Sequence, residues 1–275
     1  MSRSKLSSSE PSNPVPLGAL LREWRAARRL SQLDLALDAN VSTRHLSYVE
    51  TGKAQASREM VERLAETLDL PLRERNALLV AAGYAPKYPE SALATPALAQ
   101  VRRAIEAMLA QQEPYPAFLL NRHWDVLAAN GAAARCNRFV LGRDSAHANM
   151  LRMVFDPDDL RSAVANWEEV AGSLIHHLHS EVAAAPTDAK ARALLDEILA
   201  YPGVPTRWRR REPASAPLPL LTTRLRRGEE ELHFFSTITT FGTPRDVTLA
   251  ELHIECCYPV DEATAILCRE LATAG

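Results

Sequence analysis

The sequence is short of several features that would assign a function at once. Its four cysteines, Cys136, Cys256, Cys257 and Cys268, show no CxxC spacing, so neither a disulfide framework nor a zinc motif is legible. No run of about 18 apolar residues occurs, and no membrane span is expected. The opening MSRSKLSSSEPSNPVP lacks the apolar core of a secretory leader. These absences point to the cytoplasm, where thiols stay reduced. Charge of one sign is also scarce: 32 Lys and Arg face 34 Asp and Glu, a net −2. That excludes broad electrostatic attraction to nucleic acid, so any such affinity must come from a local patch. GxSxG, HExxH, P-loop and Rossmann fingerprints are absent. An enzyme would need a converging nucleophile and base, which the sequence does not show. What remains is ordinary globular composition, 47% hydrophobic and 24% charged, over a length that suits one or two domains.

The text changes character along the chain. Residues 1–14, rich in Ser, Pro and Asn, read as a disordered tail. Residues 15–83 read as five helices. Leu17, Leu20, Leu21 and Trp24 form the first apolar stripe. Ser31, Ser42 and Ser57 stand where N-caps of the second, third and fourth helices belong. Arg73 to Ala82 reads as the fifth. Residues 84–96 hold three prolines, Pro86, Pro89 and Pro96, and read as a linker. Beyond it the pattern is mixed. A helix is expected over 97–111, two short strands around Asn121-Arg122-His123, then a helix. Long helices are expected over Leu160–Val182 and Asp188–Tyr201. A hairpin turning at Arg227-Gly228-Glu229, a strand over Thr248–Tyr258 and a closing helix over Asp261–Leu271 follow. The second half, 97–275, is therefore α+β.

One stretch carries the function. SQLDLALDANVSTRHLSYVETGK, Ser31 to Lys53, holds apolar residues at helical spacing, broken by Asp38-Ala39-Asn40. A core would use one longer helix. Two short helices and a tight turn push one helix outward, and a protruding helix fits the major groove, where base edges are distinguishable. Leu35 and Ala36 can pack on Leu46 and Val49, with Val41 at the corner. The second helix then presents Thr43, Arg44, Ser47 and Tyr48. Gln32 opens the first and could meet a phosphate. Over residues 15–75, ten Lys and Arg stand against nine Asp and Glu, so contact through a small face is expected.

This stretch, with its Ser31-Gln32, Leu35-Ala36, Ser42, Leu46 and Glu50-Thr51-Gly52-Lys53, resembles the Cro/C1-type (XRE) helix-turn-helix over roughly Leu17 to Leu79. The resemblance implies an all-α, five-helix, lambda-repressor-like DNA-binding domain. It assigns DNA contact to Gln32, Ser42, Thr43, Arg44, Ser47, Tyr48 and Lys53, and a buried ion pair to Arg25 and Glu50. Asn40 stands where that family often has Gly; Asn also tolerates the left-handed conformation. The implied partner is double-stranded DNA with a near-palindromic operator, bound by a homodimer.

PYPAFLLNRHWDVLAANGAAARCNRFV resembles the opening of the MmyB-like ligand-binding domain, as do NMLRMVFDPDDLR, NWEEVAGSLIHHLHSE and LLDEIL. The resemblance implies a PAS-like α+β fold with an apolar pocket between sheet and helices, suited to a fatty-acid-like amphiphile. No cofactor or metal is expected. Candidate ligand residues are Trp124, Asn130, Trp167 and Trp208, though Asn130 reads first as a helix cap and each Trp first as core. Arg207, Arg209, Arg210 and Arg211 could hold an acidic group or form a solvated run. His176 and His179, with Glu169 upstream, make a weak metal set. Cys256 and Cys257 would point to opposite faces of a strand. A domain used only for dimerisation or protein contacts is the alternative.

Overall fold

The computed structural model describes residues 15–210 and 220–274; the tail expected over 1–14 lies outside them. The chain divides into two compact units, residues 1–88 and 89–275.

The first unit is helical: α1 (Leu17–Ala27), α2 (Gln32–Asp38), α3 (Thr43–Glu50), α4 (Arg58–Thr67) and α5 (Leu72–Ala81). Ser31, Ser42 and Ser57 each accept a backbone N–H three residues on, satisfying donors that a helix start leaves open. At Ser31 the cap is reciprocal, because Asp34 accepts the Ser31 N–H. Arg29, Asn40 and Asp69 end α1, α2 and α4 in the left-handed region, at φ of 57°, 50° and 48°. In each, the next N–H bonds a carbonyl five residues back, the closure that stops a helix sharply. Trp24, Leu21, Leu35, Leu46, Leu64 and Leu78 are fully buried at the centre. Each such side chain contributes roughly 1.5–3 kcal/mol by leaving water. Tyr84 donates to the Ala56 carbonyl, and Asn76 bonds Lys87 and Tyr88. Residues 84–88 of the proline-rich segment thus belong to this unit.

The second unit holds one antiparallel sheet in the order β2-β1-β5-β4-β3. Its strands are β1 (Ala117–Leu120), β2 (Val126–Ala129), β3 (Thr222–Arg227), β4 (Glu230–Thr240) and β5 (His253–Pro259). The helices are α6 (Ala99–Gln111), α7 (Gly131–Leu141), α8 (Met150–Phe155), α9 (Trp167–Ala184), α10 (Ala189–Ala200), α11 (Val247–Ala250) and α12 (Glu262–Thr273). α6 covers one sheet face, packing Ile105 and Leu109 on Leu119 and Ile254. On the other face, α8, α9 and α10 cover Phe118 and Leu120, while α7 and α12 cover Leu232 and Phe234.

Two expected elements are corrected. The helix expected over Leu160–Val182 is broken: Leu160–Ala163 is a 3-10 turn and α9 begins at Trp167. Between them the backbone joins the edge of β3. Ala165 N–H bonds the Arg224 carbonyl, and the Asn166 amide bonds Thr222 O and Arg224 N–H. An Asn side chain that completes a strand edge competes with the helix. The strand expected over Thr248–Tyr258 starts only at His253, because Asp246 accepts the Thr248 and Leu249 N–H groups and caps the one-turn α11.

Candidate functional site: the exposed helix and the sheet-lined domain

α2 and α3 meet through a turn that the sequence fixes tightly. Ala39 is buried under it, Asn40 supplies the left-handed residue, and Val41 N–H bonds the Ala36 carbonyl at 2.8 Å. α3 then buries Leu46, Val49 and Glu50 and turns Arg44, His45 and Tyr48 to solvent, with Thr43 and Ser47 half-buried. Its C-terminal end is anchored from three directions. Arg25 Nε donates to Glu50 Oε1 at 3.0 Å, and a second guanidinium nitrogen to Oε2 at 3.2 Å. The Gln32 amide donates to the same Oε2 at 2.9 Å. Gly18 of α1 passes so close that a Cβ there would lie 2.2 Å from the Glu50 carbonyl oxygen. Side chain and backbone of one residue therefore set the pose of α3.

On the exposed face, Arg44 Nε donates to the Tyr48 hydroxyl at 3.2 Å, and its guanidinium lies 5.5 Å from the Tyr48 ring centre. The guanidinium is thus partly pre-ordered, which lowers the entropy lost on meeting a base or phosphate. Ser42 spends its hydroxyl on capping. Lys53 is exposed just beyond α3, where Gly52 reverses the chain at φ 72°. The structure places Thr43, Arg44, Ser47 and Tyr48 on one helix and gives the Gln32 amide an internal partner. His45, exposed beside Arg44, was missed; its spacing of three from Tyr48 is the signal that could have found it.

In the second unit the four candidate ligand residues are held by the fold. Asn130 caps α7 by accepting Ala133 N–H, also accepts Ala117 N–H, and donates to the Leu109 and Tyr115 carbonyls. Trp124 is buried, donates to Glu181 at 3.0 Å, and meets the His177 and His253 rings edge-on at 5.6 and 5.9 Å. Trp167 donates to the Val154 carbonyl and lies under Arg161, whose guanidinium sits 3.8 Å from the ring centre. Trp208 packs 5.8 Å from Trp167, and its carbonyl meets His179 Nε2 at 2.8 Å. Trp124, Trp167 and Trp208 join one apolar cluster, and Asn130 lies outside it.

His176 offers its carbonyl to Ser180, and Glu169 accepts from Asn166. No group of three or more His, Cys, Asp or Glu suited to a metal ion occurs among the described residues. Cys256 is buried and Cys257 half-buried, and burial pushes both thiols up. Arg207 pairs with Glu168, Arg209 and Arg210 are exposed, and Arg211 lies outside the described residues. Among the described residues, no helix is long and apolar enough to cross a membrane.

Buried charges gather at the start of α10. Asp188 caps that helix through Lys190 and Ala191 N–H, and lies 3.0 Å from His123 Nε2 and 3.1 Å from Arg122. Burial is the largest influence on this carboxyl and pushes it up. The Ala191 N–H, the Arg122 charge and His123 outweigh it and hold the group below the usual carboxylate range.

Comparison with known proteins agrees with this architecture. The profile of a helix-turn-helix domain matches residues 16–78. The profile of the MmyB-like transcription regulator ligand binding domain matches residues 101–271. No curated protein matches the chain significantly. Among solved structures, an RNA-binding light-oxygen-voltage receptor aligns with 96% of this chain and 64% of its own, at 12% identity and a TM-score of 0.27. The second profile spans more than half of the chain. The chain belongs to the MmyB-like transcription regulators, DNA-binding proteins that join a helix-turn-helix to a ligand-binding domain.

Proposed function

We propose that the chain is a sequence-specific regulator that reads a near-palindromic operator as a homodimer, with α3 in the major groove. The observation that carries this reading is the Arg25–Glu50–Gln32 lock, which holds α3 with Arg44, His45 and Tyr48 facing outward. Arg44 pairs with a guanine edge, Thr43 and Ser47 lie against neighbouring edges, and Lys53 meets a phosphate. Ser42 and the start of α2 approach the backbone. Residues 15–83 form the DNA reader and 97–275 the sensor, working in the cytoplasm without catalysis. The sensor takes a small amphiphile in its apolar interior and changes operator affinity by binding one conformation better than the other.

The test is native mass spectrometry of the freshly purified protein beside a denatured run. A dimer carrying a small adduct that the denatured run lacks is the expected result. A dimer without adduct, whose thermal stability no amphiphile changes, would favour a domain that serves dimerisation or protein contacts alone.

A further inference from the structure

The sheet face covered by α7–α10 and α12 carries one residue out of keeping with its neighbours. On β5, the central strand, Glu255 pairs with Phe118 of β1 on one side and Ile238 of β4 on the other. Residues paired across an antiparallel ladder share a face, as do residues two apart on a strand. The Glu255 carboxyl therefore stands between an aromatic and a branched aliphatic side chain. Burial pushes it above the usual carboxylate range, and the nearby Ser236 hydroxyl pulls it back only in part. The ladder positions around it, 116–120 on β1, 234–240 on β4 and 253–257 on β5, carry no lysine or arginine. His253, next on the same face, is held towards its neutral form chiefly by burial.

The cover over this face stops short. Ser236, Ile238 and Thr240 are exposed, and Ile238 is 55% exposed although it points to the same side as the core residue Phe118. Beside Glu255 this face therefore presents an exposed apolar side chain, Ile238, and the partly buried Phe118. A partly buried carboxylate among apolar neighbours is costly unless a counter-charge arrives.

We propose that the ligand seated here is an amphiphile with a cationic amine head, paired to the Glu255 carboxylate and the Ser236 hydroxyl, with its apolar chain along Phe118 and Ile238. The proposal rests on the ligand-binding reading above and narrows it. A free fatty acid would place a second negative charge beside Glu255, with no cation on the surrounding ladder to offset it.

The test is binding of decylamine, decanol and decanoate to the full chain, by calorimetry and thermal shift, for the native protein and Glu255→Gln. Equal chain lengths leave only the head group to discriminate. The expected result is decylamine tighter than decanoate by about tenfold or more, the scale of a charge-assisted hydrogen bond. Glu255→Gln is expected to abolish that preference while retaining decanol binding. Decanoate binding as tightly as decylamine to the native chain would overturn the amine assignment and leave the ligand-binding reading standing. Binding of none of the three would overturn both. An amine preference that survives Glu255→Gln would overturn the placement. The comparison on the native chain stands even if the variant does not fold.

Discussion

Arg25 grips Glu50 through two hydrogen bonds, at 3.0 and 3.2 Å, and the Glu50 side chain is only 2% exposed. The pair ties α1 to the end of α3. Arg25→Ala is expected to strand a buried carboxylate and cost about 3–5 kcal/mol, less whatever the Gln32 amide retains. Urea denaturation followed by Trp24 fluorescence checks this. A loss below about 0.5 kcal/mol would show the pair to be ornamental.

Gly18 offers an independent probe of the same contact. A methyl group there would meet the Glu50 carbonyl oxygen at 2.2 Å, and backbone cannot step aside as a side chain can. Gly18→Ala is expected to destabilise the unit by about 1–3 kcal/mol or more, although Ala is the better helix former. A more stable variant would place α1 further from α3.

Arg44→Ala is expected to leave folding intact and to cost about 1–3 kcal/mol of operator affinity, with relaxed preference at one base position. Fluorescence anisotropy on a set of single-base operator variants measures both effects. Unchanged affinity and unchanged preference would mean that another surface reads the DNA.

Asp188 gives a pH signature. Its folded carboxyl lies below the unfolded value of about 3.9, so its contribution is present above that pH and fades as pH falls through the folded value. Asp188→Asn is expected to cost about 1–3 kcal/mol near neutral pH and much less near pH 3. Urea midpoints at the two pH values decide it. An equal penalty at both would mean that the capping geometry, not the charge, carries the effect.

Much of the reading unit was legible because its signals are local. Ser31, Ser42 and Ser57 announce helix starts, and the stripe from Leu17 to Trp24 announces a buried face; both depend on residues within a turn or two. The Arg25–Glu50 pair was legible only through family resemblance, since its partners are 25 residues apart. The Gln32–Glu50 bond was not legible at all: an amide at a helix start reads as free for phosphate until the fold brings Glu50 to it. In the second unit, the breaks before Trp167 and before His253 escaped periodicity. In each, a side chain, Asn166 or Asp246, bonds backbone that the pattern assigned to a continuous element. Glu255 escaped for a different reason. Its neighbours Phe118 and Ile238 are set by strand register, which no local pattern reveals.

The central claim, that α3 reads DNA as one half of a two-fold pair, is tested most directly by selection from random duplexes with the full chain. The account predicts enrichment of two inverted half-sites with centres about 34 Å, one helical turn, apart. It also predicts that Arg44→Ala selects the same motif with one degenerate position in each half. Failure to enrich any sequence, or an identical motif from Arg44→Ala, would contradict it.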